Sequence, residues 1–190
     1  MTLKTNVLVE NICNLSEARY CSGMGVQFLA CPVTQVDPTL FTAIKGWVQG
    51  PEMVVDISEL TGHLDVNAYE ADFILLNSSQ LLTVTNKSYL SCIVRLNAGD
   101  LLNLDQLATY FERIKFVIIH NISTKEINKL SALNYKILVS IDQNQSIQLA
   151  ELLNLPIAGI LLTGETETTL GLKNYDHLSS VFERLEVEDY

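Results

Sequence analysis

Short apolar runs rich in β-branched residues alternate along this chain with segments whose apolar positions recur every three or four residues, and the alternation repeats about every 20 to 25 residues. Runs that are apolar on both faces read as parallel strands, which need helical crossovers to cover them. The first unit spans Val7 to Cys31. VLVENI reads as a strand, and Asn14 caps a helix from Leu15 through Ser22 with Glu17 in its first turn. Gly23 and Gly25 stop that helix, and VQFLA follows as a second strand. Asp37 and Pro38 open a helix to Trp47, closed by Gly50-Pro51, and EMVVDI makes the third strand. Ser58 begins a helical or irregular stretch to Tyr69, followed by DFILLN. Ser78 and Ser79 cap a short helix over Gln80 to Thr85, and SCIVRLN is strand five. Asp105 to Ile114 reads as an amphipathic helix, KFVIIH as strand six, Thr124 to Leu133 as a helix, and KILVSI as strand seven. Ser146 to Leu153, the strand IAGILLTG and a last helix Tyr175 to Glu186 capped by Asn174 complete the series.

Eight strands and about eight helices predict an α/β fold, a single compact (β/α)8 barrel of the TIM type with all strands parallel, occupying residues 1–190 as one domain. An open doubly wound sheet is the alternative. Closure requires Gly159 to Thr163 to lie beside Val7 to Glu10. With 190 residues, 48% of them hydrophobic, the chain can bury one substantial core. Its net charge of −10 and pI near 4.6 argue against nucleic acid or an anionic membrane surface as partners. No apolar run approaches the roughly 18 residues of a membrane span, and MTLKTN lacks a signal-peptide core, so a cytoplasmic protein is expected. Cys13, Cys21, Cys31 and Cys92 show no ligand spacing and read as buried reduced thiols. No cofactor is expected.

Candidate chemistry gathers at the strand ends. Period-two alternation puts Glu10 on the side of Leu8, Asn77 with Leu75, Arg95 with Ile93 and His120 with Ile118. Asp56 ends strand three and Asp142 follows strand seven. Six of eight strands therefore finish in a polar or charged residue at the end where barrel sites occur. Glu10 and His120 suit the roles of base and acid in proton transfer, and Arg95 suits a carboxylate or phosphate. Convergence of the three predicts that a carboxylate holds Arg95 and that a carboxylate beside His120 favours its protonated form. The bland reading is a self-neutralised polar rim. Glu10, Asp56, His120 and Asp142 also make a conceivable divalent-metal set. Trp47, between Ile44 and Val48, reads as packing, and His63 and His177 as solvent-facing.

Two stretches carry a family resemblance. NICNLSEARYCSGMGVQFLA resembles the opening of phosphoribosylanthranilate isomerases, and GILLTGETETTLGLKNYDHLSSVFERL resembles their last strand, the loop after it and the closing helix. The resemblance implies the same barrel and, for an intact member, isomerisation of phosphoribosylanthranilate in tryptophan biosynthesis. Aligned on Asn14, Leu15 and Ala18, however, Glu10 stands where the family keeps its catalytic cysteine and Asn11 where it keeps the next glycine. Cys13 falls three residues too late to substitute. His120 stands where the family has its general-acid aspartate, and CPVTQVDPTLF offers no counterpart to the family's arginine after strand two. The phosphate loop after strand seven reads SIDQNQ, without glycine and with Asp142, which would repel a phosphate. TGETE after strand eight retains Thr163 and Gly164 but brings Glu165 close. The resulting expectation is an isomerase-like barrel without efficient isomerase activity. Its strand ends, Glu10 and His120 with Arg95, Asn77, Asp56, Asp142, Thr163 and Gly164, would bind or transform a small anionic metabolite. A noncatalytic binding or regulatory protein is the alternative.

Overall fold

A computed structural model describes residues 1–86, 88–97, 99–102, 104–120, 123–141, 149–164 and 175–187. Eight parallel strands close into a barrel in the order in which they occur: β1 (Asn6–Glu10), β2 (Phe28–Pro32), β3 (Glu52–Asp56), β4 (Phe73–Asn77), β5 (Ser91–Leu96), β6 (Ile114–Ile119), β7 (Ile137–Ser140) and β8 (Gly159–Thr163). The helices are α1 (Leu15–Gly23), α2 (Pro38–Trp47), α3 (Leu81–Thr85), α4 (Leu104–Ala108), α5 (Thr124–Ala132), α6 (Leu149–Leu152) and α7 (Asp176–Leu185). No helix among the described residues is long and apolar enough to cross a membrane.

Pleat parity builds the core in two shells. Leu8, Ala30, Val54, Leu75, Ile93, Ile118, Leu138 and Leu161 point into the barrel, while Val7, Val9, Leu29, Val55, Ile74 and their equivalents point out under the helices. The floor of the barrel is aromatic: Phe28 meets Phe116 and Phe73 edge-on, with ring centroids 5.3 and 5.8 Å apart. Closure is made at the β1–β8 seam, where Val7 pairs with Ile160 and Glu10 with Thr163. That seam is tight. Asn6 Nδ2 donates to the Ala158 carbonyl at 2.7 Å, and a Cβ on Gly159 would overlap the Asn6 carbonyl oxygen, so glycine is required there by close approach. Stacking of Tyr20 on Tyr175, centroids 4.5 Å apart, joins α1 to the start of α7 across the same seam.

Several boundaries differ from the sequence reading, each for a local reason. β1 stops at Glu10 because Asn11 turns into the left-handed region, φ 62°, which asparagine tolerates. β2 begins two residues later than VQFLA because Gln27 leaves the strand line: its Oε1 accepts from Val7 N at 2.6 Å and its Nε2 donates to Gly25 O at 2.7 Å. The cap of the segment after β4 is Asn77 rather than Ser78 or Ser79; a 3-10 turn over Ser78–Gln80 precedes α3, with Gln80 Oε1 accepting from Asn77 N. The helix expected over Asp105 to Ile114 is only α4. Thr109, Tyr110 and Phe111 are poor helix formers, and a 3-10 turn at Phe111–Arg113 is pinned by Arg113 donating to the Ser88 and Leu90 carbonyls at 2.6 and 2.9 Å. Trp47 does not pack. It ends α2 67% exposed because Val48, one residue on, takes the inward position after Phe41 and Ile44. His63 is exposed and His177 half-buried. The first part of the helix expected over Ser146 to Leu153 and the Asn174 cap lie outside the described residues.

Candidate functional site

The alternation that fills the barrel with Leu8, Val54, Leu75, Ile93, Ile118 and Leu161 carries on upward by two residues, so Glu10, Asp56, Asn77, Arg95, His120 and Thr163 form the next layer at the C-terminal mouth. Arg95 dominates it. Its strand, β5, lies four places from β1 around the ring in either direction, yet its guanidinium crosses the mouth: Nη2 donates to Glu10 Oε2 at 2.5 Å while Nη1 meets His120 Nε2 at 2.8 Å. The side chains of Arg95 and Glu10 are 22% and 13% exposed, so the ion pair sits largely inside. Glu10 Oε1 accepts from the Thr163 hydroxyl at 2.9 Å, so each of its oxygens has a partner.

Glu10, Arg95 and His120 thus converge as expected, and a carboxylate holds Arg95. A guanidinium can only donate. His120 Nε2 therefore accepts, and the imidazole in this arrangement is the neutral tautomer with its proton on Nδ1. At Nε2 its neighbour is the Arg95 cation.

Asp56 faces the same space. Burial raises its carboxyl above the usual carboxylate range; hydrogen bonds from Ser58 and the charge of Arg95 pull the other way, and Glu10 adds to the rise. Ser58 N donates to Asp56 Oδ1 at 2.8 Å. Asn77 Nδ2 donates to the Ser58 carbonyl at 2.7 Å, so this residue braces the loop after β3. Gly164 N donates to the Glu10 carbonyl at 2.8 Å, continuing the seam, and a Cβ there would meet Glu17 Oε1 at 2.6 Å. Asp142 lies outside the described residues.

Most of these residues, though not His120 or Gly164, line a cavity of about 510 Å3, in the ~300–1,000 Å3 range of small-molecule sites. Its lining includes Glu10, Asp56, Asn77, Arg95 and Thr163. It also includes Asn11, Pro32, Thr34, Gln35, Ser58 and Glu59, which sequence reasoning did not select. Their signal was positional: each ends or directly follows one of the first three strands, where a barrel carries its functional loops. Asn11 Nδ2 donates to Gly164 O at 3.1 Å and Cys13 Sγ reaches Gln35 Oε1 at 3.3 Å, tying three βα loops together around the rim. Glu17 stands in the first turn of α1 as expected, and it is fully buried behind that rim. Cys31 is also buried, its thiol pushed up by burial and by nearby Cys13, Glu17 and Asp56. Among the described residues no three His, Cys, Asp or Glu side chains are grouped to hold a metal ion.

No family model and no curated protein matches this sequence. Solved structures do resemble it. Phosphoribosylanthranilate isomerase from Thermus thermophilus superposes with a TM-score of 0.67 at 14% identity, covering 95% of this chain and 98% of that one. A phosphoribosylanthranilate isomerase in complex with reduced 1-(o-carboxyphenylamino)-1-deoxyribulose 5-phosphate gives 0.70 at 12% identity, covering 94% and 97%. Orotidine 5'-monophosphate decarboxylase from Methanocaldococcus jannaschii, complexed with the inhibitor BMP, gives 0.60 at 12%, covering 98% and 100%. At such identities the likeness is one of fold.

Proposed function

We propose that this chain is a phosphoribosylanthranilate isomerase-type barrel that serves as a small-molecule binding protein, its C-terminal mouth retaining a ligand cavity without efficient isomerase activity. The observation that carries the reading is the Arg95 bridge. A general base must be able to swing onto the substrate's proton and a general acid needs a proton aimed at the substrate. Arg95 and Thr163 each hold one oxygen of Glu10, and Arg95 donates to His120 Nε2, so the two groups placed to exchange protons are tied into a cross-barrel brace and Nε2 presents no proton to a substrate. Nor is there a backbone cradle for a phosphate at Gly164, whose N–H is engaged by the Glu10 carbonyl. The isomerases among the structural neighbours give the fold its precedent as a binder of a phosphorylated sugar derivative.

Purified protein supplied with phosphoribosylanthranilate tests this. Loss of two positioned acid–base groups costs about 100 to 10,000-fold each, so no turnover above the uncatalysed rate is expected. Turnover near the roughly 10 per second of an ordinary enzyme overturns the proposal.

A further inference from the structure

Arg95 was the reason to expect an anionic ligand, and its surroundings change that expectation. Three carboxylates, Glu10, Asp56 and Glu59, line the cavity against the single guanidinium of Arg95, which leaves two negative charges in excess among the described lining residues. The guanidinium is neutralised by Glu10 within the wall itself. An arriving phosphate would meet a cation already paired and two further carboxylates that are not.

Asp56 and Glu59 stand differently. Asp56 takes its hydrogen bonds from Ser58, inside its own loop, and Glu59, exposed on that loop, has no ion-pair partner among the described residues. Apart from Pro32, the uncharged part of the lining is hydroxyl and carboxamide: Thr34, Ser58, Thr163, Asn11, Gln35 and Asn77, groups that both donate and accept. Carboxylates on one wall and two-way hydrogen-bonding groups on the others match a molecule with an ammonium at one end and hydroxyls along its length.

We propose that the mouth selects a small hydroxylated amine, with its ammonium against Asp56 and Glu59 and its hydroxyls toward Thr34, Gln35 and Asn11. This rests on the binding reading above and narrows it to a ligand class. The raised carboxyl of Asp56 fits the assignment, because a bound cation would offset the burial of its charge.

The test uses the full chain and three probes that share a polyol chain and differ in charge: 1-amino-1-deoxysorbitol, sorbitol and sorbitol 6-phosphate. Binding is followed by calorimetry and by the side-chain amide resonances of Asn11, Gln35 and Asn77. Expected is amine affinity at least about tenfold above sorbitol, weakening with salt, and no tighter binding of the phosphate. Asp56→Asn should reduce amine affinity about tenfold and Glu59→Gln, being exposed, about threefold, with sorbitol affinity unchanged. Tighter binding of sorbitol 6-phosphate, equal binding of amine and sorbitol, or amine binding indifferent to both substitutions overturns the ligand class and leaves the binding mouth standing. Three probes that neither bind nor move the rim amides overturn both.

Discussion

Replacing Arg95 with methionine removes the brace and keeps most of the side-chain volume. The carboxylate of Glu10, only 13% exposed, then loses its cation and retains Thr163. Breaking a fully buried pair by removing one partner costs about 3–5 kcal/mol. Exposure of 22% and 13% screens part of that, so Arg95→Met should destabilise by about 2–3 kcal/mol. In a chain of this size the melting temperature should fall by about 5–10 °C. The diagnostic measurement is a cycle with Glu10→Gln, which keeps the shape and removes the charge. If the two side chains stabilise one another, urea unfolding should give an interaction energy of about 1–2 kcal/mol, the double variant being more stable than the sum of the single changes allows. His120 adds a second handle. Its Nε2 signal should carry the shift of an accepting, unprotonated nitrogen in wild type and lose that character when Arg95 is gone. Additivity within about 0.5 kcal/mol, or Arg95→Met within that margin of wild type, would refute the cross-barrel brace, and with it the reason given for quenched acid–base chemistry.

Burial raises the Asp56 carboxyl above its unfolded value, so the native state holds that proton longer and stability falls as pH rises through the folded-state value. Asp56→Asn should therefore raise the melting temperature near neutral pH, with the gain vanishing below the unfolded carboxylate pKa of about 3.9; a gain of equal size at both ends would contradict the assignment to charge burial. Gly159→Ala should destabilise by about 1–3 kcal/mol in the same unfolding assay, since the added Cβ overlaps the Asn6 carbonyl of the neighbouring strand, which cannot retreat without opening the seam. Trp47→Ala should cost under about 0.5 kcal/mol, and acrylamide should quench the chain's single tryptophan nearly as well folded as unfolded.

The barrel was legible because its signals are short-range and redundant. Each strand announces itself by four or five apolar residues, and eight of them at even spacing leave few ways to cover both faces. Parity carried the reading on to the mouth: knowing that Leu8, Leu75, Ile93 and Ile118 belong to one shell put Glu10, Asn77, Arg95 and His120 in one layer without any tertiary information. Which members of that layer touch was a different matter. Arg95 is in register with Asn77 on β4 and Ile118 on β6, but its guanidinium finds its carboxylate on β1, across the axis. Side-chain length and barrel stagger decide that contact, and neither can be read from spacing. That Arg95 also reaches His120 is likewise tertiary information, because the order of charges around a ring is not written in the spacing of the strands. Trp47 was misread because its place at a helix end depends on whether Trp47 or Val48 takes the last inward position, a choice that periodicity leaves open.

The brace also explains how a site of this composition is tolerated in the fold. A barrel mouth must change from apolar to polar within one layer, and here the layer directly above Leu8, Ile93 and Ile118 is charged and largely out of water. Carboxylates on opposite strands would repel one another across so narrow a ring, whereas a long cation reaching over the axis joins the wall at β1 to the wall at β5 and β6 and closes the top of the core. Asp56 feels the charge of Arg95 without pairing with it, and Glu59 follows it on the β3 side, with Asn77 fixing the loop that carries them. The division separates two tasks in one layer. Loss of Arg95, Glu10 or His120 should register first in stability. On the proposed binding reading, replacing Asp56 should strengthen the fold by removing a buried charge while weakening the ligand.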